Sequence, residues 1–181
     1  MTSRMAMFLA GFPETTCLST QNRFCSSGLQ TVATIANAIK NRQIAIGIGA
    51  GVESMSTNGM SGGINPDTLA PEVFDHPKAQ LCMMPMGVTS ENVAEKFGIS
   101  RQQQDQMAYE SHQKAHRAQK EGWSAKEITP YKTTVLDKEG KSKEVLVDRD
   151  DGVRGETTIQ GLGKLKPAFK KDGTTTAGSS S

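Results

Sequence analysis

The run Ile44-Ala45-Ile46-Gly47-Ile48-Gly49-Ala50-Gly51 constrains this chain more than any other feature. Its β-branched residues predict a strand, and its interior glycines permit another backbone to approach closely. Just before it, from Ser27, the residues Leu29, Val32, Ala33, Ala36 and Ile39 recur at three- and four-residue steps. That spacing puts them on one face of a helix, which Asn41 and Arg42 close. Upstream again, Cys17 to Phe24 carries β-branched threonines and reads as an extended segment. Extended segment, turn, helix and strand make a βαβ-type unit, so the predicted class is α/β, with a parallel sheet covered by helices.

Beyond residue 52 the character changes to polar, loop-rich and charged. Gly59 to Pro77 is rich in Gly, Pro, Asn and Asp and reads as a loop. Two helices are expected next. Thr89 and Ser90 are candidate caps for the first, which runs to Phe97 and stops at Gly98. Ser100 and Gln103 fit a capping box for the second, which runs toward Gln119 and ends before Gly122. Residues 127–148 read as two polar strands around Asp137-Lys138-Glu139-Gly140, and the tail from Asp172 as a Gly, Thr and Ser loop. A chain of 181 residues suits one domain, here with an insertion. Its last residue, Ser181, falls inside that loop, which leads to the expectation of an internal slice of a larger fold.

Composition narrows the function. With 21 Lys and Arg against 19 Asp and Glu the net charge is +2, which removes the electrostatic case for nucleic acid or an anionic membrane as partner. No apolar run approaches the roughly 20 residues that span a bilayer. The N-terminal stretch, ending in Phe8-Leu9-Ala10 with Pro13 and Glu14 after it, lacks the features of a signal peptide. Three cysteines, Cys17, Cys25 and Cys82, show no CxxC spacing, so neither a disulfide framework nor a structural zinc site is expected. His112 and His116, at i and i+4, have no third ligand placed to join them, and no metal is expected.

Cys25 is the candidate nucleophile. It stands in Asn22-Arg23-Phe24-Cys25-Ser26-Ser27-Gly28-Leu29, where the extended segment meets the helix. The positive end of a helix dipole stabilises a thiolate, which is the nucleophilic form of cysteine. Ser26, Ser27 and Gly28 are small and leave room for an acyl group. The competing reading is a small, inert core thiol.

Cys25-Ser26-Ser27-Gly28-Leu29-Gln30, followed by Gly49-Ala50-Gly51-Val52-Glu53-Ser54-Met55-Ser56, resembles the nucleophile region of thiolases. The resemblance extends through Met84-Pro85-Met86-Gly87-Val88-Thr89-Ser90-Glu91-Asn92-Val93-Ala94 and residues 101–115. It ends with Lys164-Leu165-Lys166-Pro167-Ala168-Phe169 and Asp172-Gly173-Thr174-Thr175-Thr176-Ala177-Gly178, so nearly the whole chain is covered in one order. The variant is most similar to peroxisomal 3-ketoacyl-CoA thiolases of plants, because Pro85 precedes Met86 where biosynthetic thiolases tend to carry His. Departures are Phe24, where the family commonly has Gln, and Gly59, where Pro is usual after Asn58.

This resemblance implies part of a five-layer αβαβα thiolase fold. Residues 1–56 would be a partial N-terminal core, 57–163 an inserted loop domain, and 164–181 the start of the return to the core. It implies an acyltransferase of fatty-acid β-oxidation, in which Cys25 attacks a 3-ketoacyl-CoA and carries the acyl group as a thioester. Coenzyme A is a substrate and no cofactor is implied. The assembly would be a homodimer and the compartment the peroxisome, although no import signal is visible. Arg154 is implied as a contact to the adenine ring, Ser181 to the pantetheine arm, and Met86 and Phe169 as apolar walls of the tunnel. A solvated arginine and ordinary packing residues are the alternatives. Lys164, Lys166, Lys170 and Lys171 could attract CoA phosphates or simply form a solvated face.

The acid and base of the family belong to Gly-His-Pro and Cys-x-Gly motifs. Neither motif occurs here: His76 lies in Asp75-His76-Pro77, and Cys17 and Cys82 precede Leu18-Ser19 and Met83-Met84. The expectation is therefore a fragment without turnover of its own. The alternatives are an acetoacetyl-CoA thiolase running Claisen condensation, or a non-catalytic acyl-CoA-binding truncated product.

Overall fold

The computed structural model describes residues 1–55 and 65–180. It divides into two compact units, Met1–Leu69 and Ala70–Ser181.

In the first unit, α1 spans Thr2–Leu9 and α2 spans Ser27–Lys40. The helical face read from Leu29 to Ile39 is α2, and Asn41 caps it, with Arg42 at φ +57° turning the chain away. Arg4 ties α1 to the segment after it: its guanidinium bonds the Glu14 carbonyl at 2.6 Å and the Thr16 carbonyl, and lies over the Phe8 ring at 4.5 Å.

The expected strand over 44–51 does not form, nor does the parallel sheet. Residues 46–54 have no ladder partner, and upstream the extended segment makes a single bridge, Arg23 to Cys25. A strand exists only where a second segment supplies hydrogen bonds, and none among the described residues lies beside this one. The glycines nonetheless serve the close approach read from them, against α2. A methyl group at Gly47 would stand 2.7 Å from the Ile35 side chain, and one at Gly49 3.0 Å from the Val32 backbone. Leu29, Val32, Ile46, Ile48 and Val52 remain exposed.

The second unit begins with two short helices, α3 (Glu72–Asp75) and α4 (Pro77–Leu81), followed by α5 (Met86–Phe97) and α6 (Arg101–Lys120). Thr89 and Ser90 do not cap α5. Pro85, already extended at φ −59° and ψ 140°, takes that place, so the helix starts one turn earlier. Gly98 ends α5 in the left-handed conformation, φ +65°, as its position predicts. The capping box is complete: Ser100 Oγ accepts the Gln103 N–H at 3.2 Å, and Gln103 Oε1 accepts the Ser100 N–H at 2.8 Å. The polar strands are β1 (Tyr131–Leu136) and β2 (Ser142–Val147), an antiparallel pair with Tyr131 opposite Val147. Between them Asp137 Oδ1 accepts the N–H groups of Glu139 and Lys141, each at 2.9 Å. A short helix α7 (Ile159–Gly163) follows, capped by Thr158.

The tail read as a loop is the best-buried part of this unit. Thr175 and Thr176 are 1% and 0% exposed, and Ala94, Ala108 and Leu162 are the buried apolar residues of the unit. Polar groups hold it there. Glu91, on α5 and itself buried, accepts the Thr174 N–H at 2.9 Å, the Thr175 N–H at 2.8 Å and the Thr174 hydroxyl at 3.4 Å. Ser90 Oγ and Thr175 Oγ1 are 2.9 Å apart, and Gln104 Nε2 donates to Thr174 Oγ1 at 2.8 Å. A chain with 35% hydrophobic residues builds this core largely from satisfied hydrogen bonds.

Burial pushes the Glu91 carboxyl up, but the Thr174 and Thr175 N–H bonds, the Thr174 hydroxyl and the Lys170 charge outweigh it. The group ends below its ordinary 4.5. A carboxylate lowered on folding contributes stability above its unfolded value and loses it as pH falls through the folded value. Acid unfolding should therefore steepen below about pH 4.5. E91Q should be less stable at pH 7 and less sensitive to that acid step. Urea titrations at pH 7 and pH 3.5 check this, and equal acid sensitivity in both proteins would refute it.

Candidate active site

The turn into α2 is built by residues 22–27. Asn22 Oδ1 accepts the Phe24 N–H at 2.8 Å, and Ser27 Oγ accepts the Arg23 N–H at 2.8 Å while donating to the Phe24 carbonyl at 2.6 Å. Arg23 reaches forward to Gln30 Oε1 at 2.5 Å. These bonds force Phe24 to φ +49°, a left-handed conformation that a bulky L-residue adopts rarely and at a cost of about 1–2 kcal/mol. Cys25 follows immediately and is exposed. Ser26, the N-cap of α2, makes no side-chain capping bond, and although the Ser27 N–H is taken by the Phe24 carbonyl at 3.0 Å, the Gly28 and Leu29 N–H groups have no partner among the described residues and are left available to an anion. A thiolate or a developing oxyanion is such an anion. The sharp junction read from the sequence is present, and its cause is the set of bonds that Asn22 and Ser27 make to Arg23 and Phe24.

The other candidate residues lie in the second unit. Met86 is the first residue of α5 and is 67% exposed. Phe169, 42% exposed, lies across the next residue: a Cβ on Gly87 would stand 2.2 Å from the phenyl ring. Arg154 sits on a loop gripped by α6. His112 Nδ1 accepts the Arg154 N–H at 3.3 Å, Gln113 Nε2 donates to the Gly155 carbonyl at 3.0 Å, and Gln119 Nε2 donates to the Asp150 carbonyl at 2.9 Å. The two histidines considered as metal ligands thus face this loop, with His116 against Gly155. Ser181 lies outside the described residues.

Of the basic cluster, Lys170 is taken by Glu95 at 2.8 Å. That hydrogen bond raises the lysine and lowers the carboxyl from their ordinary values. The sequence reading missed the residues that hold this region, above all Glu91, Gln104 and the Arg101–Asp105 pair. Gly87, Glu91 and Ala94 share one face of α5 at helical spacing, a signal too polar to be read as core.

The family profile "Thiolase, N-terminal domain" matches residues 1–181. The chain belongs to the thiolase family. It is 56% identical over 179 residues to the mouse (Mus musculus) "3-ketoacyl-CoA thiolase A, peroxisomal", covering 99% of this chain and 42% of that protein. To the Arabidopsis thaliana "3-ketoacyl-CoA thiolase 2, peroxisomal" it is 57% identical over 181 residues, covering 98% and 38%. This thiolase chain therefore spans about two fifths of the length of the curated relatives it matches. Its fold is similar to part of the dimeric peroxisomal thiolase of Saccharomyces cerevisiae, with a TM-score of 0.84 and 43% identity over 97% of this chain and 43% of that one. The Bacillus anthracis acetyl-CoA acetyltransferase follows at a TM-score of 0.75 and 33% identity, covering 98% and 45%.

Proposed function

We propose that this chain supplies the nucleophile and part of the coenzyme A cradle of a peroxisomal 3-ketoacyl-CoA thiolase acting in fatty-acid β-oxidation. The observation that carries the reading is Cys25, exposed behind a strained Phe24 at an uncapped helix N-terminus, in a chain matched throughout by the thiolase N-terminal profile.

The chemistry follows from that placement. The Cys25 thiolate attacks the 3-keto carbon, and the open N–H groups at the start of α2 favour the negative charge that develops. Collapse of the tetrahedral oxyanion breaks the C2–C3 bond, and the departing acetyl-CoA carbanion takes up a proton. The acyl group stays on Cys25 as a thioester. A second CoA thiolate then attacks this thioester, releasing acyl-CoA shortened by two carbons and regenerating the Cys25 thiolate. Sulfur suits both halves because it is a good nucleophile and a good leaving group.

Arg154 would stack on the adenine, Met86 and Phe169 would wall the pantetheine, and Ser181 would bond its amides. Residues 1–56 are read as core, 57–163 as the loop domain and 164–181 as the return to the core. Homodimer assembly and a peroxisomal compartment are part of the same proposal, supported by the relatives above. No metal takes part, and CoA enters as substrate. Because the histidine and second cysteine of the family mechanism have no counterpart in these 181 residues, we expect no turnover from them alone.

The test is a thiolysis assay of the full-length protein across 3-ketoacyl-CoA chain lengths. Cleavage of medium and long chains is expected. Activity confined to the four-carbon substrate would instead assign an acetoacetyl-CoA thiolase, and CoA binding with no thiolysis a binding module.

A further inference from the structure

We propose that Gly87 is a positioning residue for acyl-CoA: it is the seat of Phe169, and its missing side chain fixes where that ring stands as a wall of the ligand passage. The inference rests on the reading of Phe169 and Met86 as ligand walls.

The contact is close. A Cβ built on Gly87 would meet Cδ1 of the ring at 2.2 Å and Cε1 and Cγ at 2.3 Å, well inside van der Waals contact. Cγ is the inner end of the side chain, so a small swing of the ring tip does not relieve the overlap. The backbone under the ring cannot retreat easily either. Ala168 donates its N–H to the Thr175 carbonyl at 3.0 Å, and Pro167 bridges Thr176. On the other side Lys170 is fixed to Glu95 at 2.8 Å, and Glu91 anchors Thr174 and Thr175 from the same helix that carries Gly87.

An apolar ring left 42% exposed is thus held on a tethered backbone, next to a Met86 left 67% exposed. Read as a ligand wall, a ring held in place spares the complex the entropy of ordering it. Any side chain at 87 therefore moves the wall.

The experiment is a double-mutant cycle of G87A and F169A in the full-length protein, read by the calorimetric Kd for CoA, by KM and kcat, and by thermal stability. G87A should raise Kd and KM about tenfold with kcat within about twofold, the signature of lost uniform binding. F169A should raise Kd by itself, and adding G87A to it should bring no further loss, since the ring that clashed is gone. A fully additive effect on Kd, or a G87A protein that loses thermal stability but keeps its Kd, overturns the proposal. If F169A leaves Kd unchanged, the assignment of Phe169 as a ligand wall fails instead, and a wild-type protein that does not bind CoA overturns both.

Discussion

In the full-length protein, Cys25→Ser should lower the proposed thiolysis by about 10⁴-fold or more while leaving the fold intact. The loss is large because an alkoxide is harder to form at neutral pH than a thiolate and is a poorer leaving group in the second half-reaction. The fold should hold because Cys25 is exposed, so stability should change by less than about 0.5 kcal/mol. Two readouts separate chemistry from structure. Mass spectrometry of wild type mixed with a 3-ketoacyl-CoA should find the acyl mass on the peptide carrying Cys25, and the serine variant should lack it. Retained turnover in the variant, or an adduct on Cys17 or Cys82, would move the nucleophile elsewhere.

The second large effect concerns stability. Asp105 is 4% exposed and receives both of its bonds from Arg101 Nε, at 3.0 and 2.9 Å. The same guanidinium bonds the Leu162 carbonyl at 2.5 Å and the Leu165 carbonyl at 3.0 Å. One side chain thus neutralises a buried carboxylate on α6 and fastens the end of α7. R101L removes the charge and strands the carboxylate, which should destabilise the protein by about 3–5 kcal/mol. R101L/D105N should recover part of that, because a neutral amide is cheaper to bury than an unpaired carboxylate. Urea unfolding of the two variants measures both effects. A loss under about 1 kcal/mol for R101L, or no recovery in the double variant, would show that the pair is not a structural lock.

The second outcome bears on the segment at residues 167–176, which carries Phe169, a proposed wall of the ligand passage. Arg101 fastens the Leu162 and Leu165 carbonyls and Glu91 the Thr174 and Thr175 N–H groups, on either side of Phe169 in sequence. Loosening either should slacken the segment that carries Phe169.

Local signals were legible where neighbours in sequence decide the structure. Gly98 stops α5, Ser100 and Gln103 close the capping box of α6, and the Asp137–Gly140 turn separates β1 from β2, all as their residues predict. The junction at Cys25 was legible for the same reason, since its bonds join residues at most seven apart. The strand over 44–51 was not, because β-propensity specifies an extended backbone and only a neighbouring strand completes it. The tail was legible as a loop but its burial was not, because Gly, Thr and Ser look solvated until a carboxylate more than 80 residues away in sequence accepts their N–H groups.

The sequence by itself determined the family, the helices α2 and α6 with their ends, the stop of α5 at Gly98, and the cysteine at the head of α2. Caps, turns and motif order are properties of contiguous residues, and any reader of the chain can recover them. Only the tertiary structure decided that Thr175 and Thr176 form the core of the second unit, that Glu91 and Arg101 hold it, and that Phe169 rests on Gly87. Those are contacts between distant segments, whose energy comes from desolvating and satisfying specific polar groups, and no local pattern in the chain encodes that pairing.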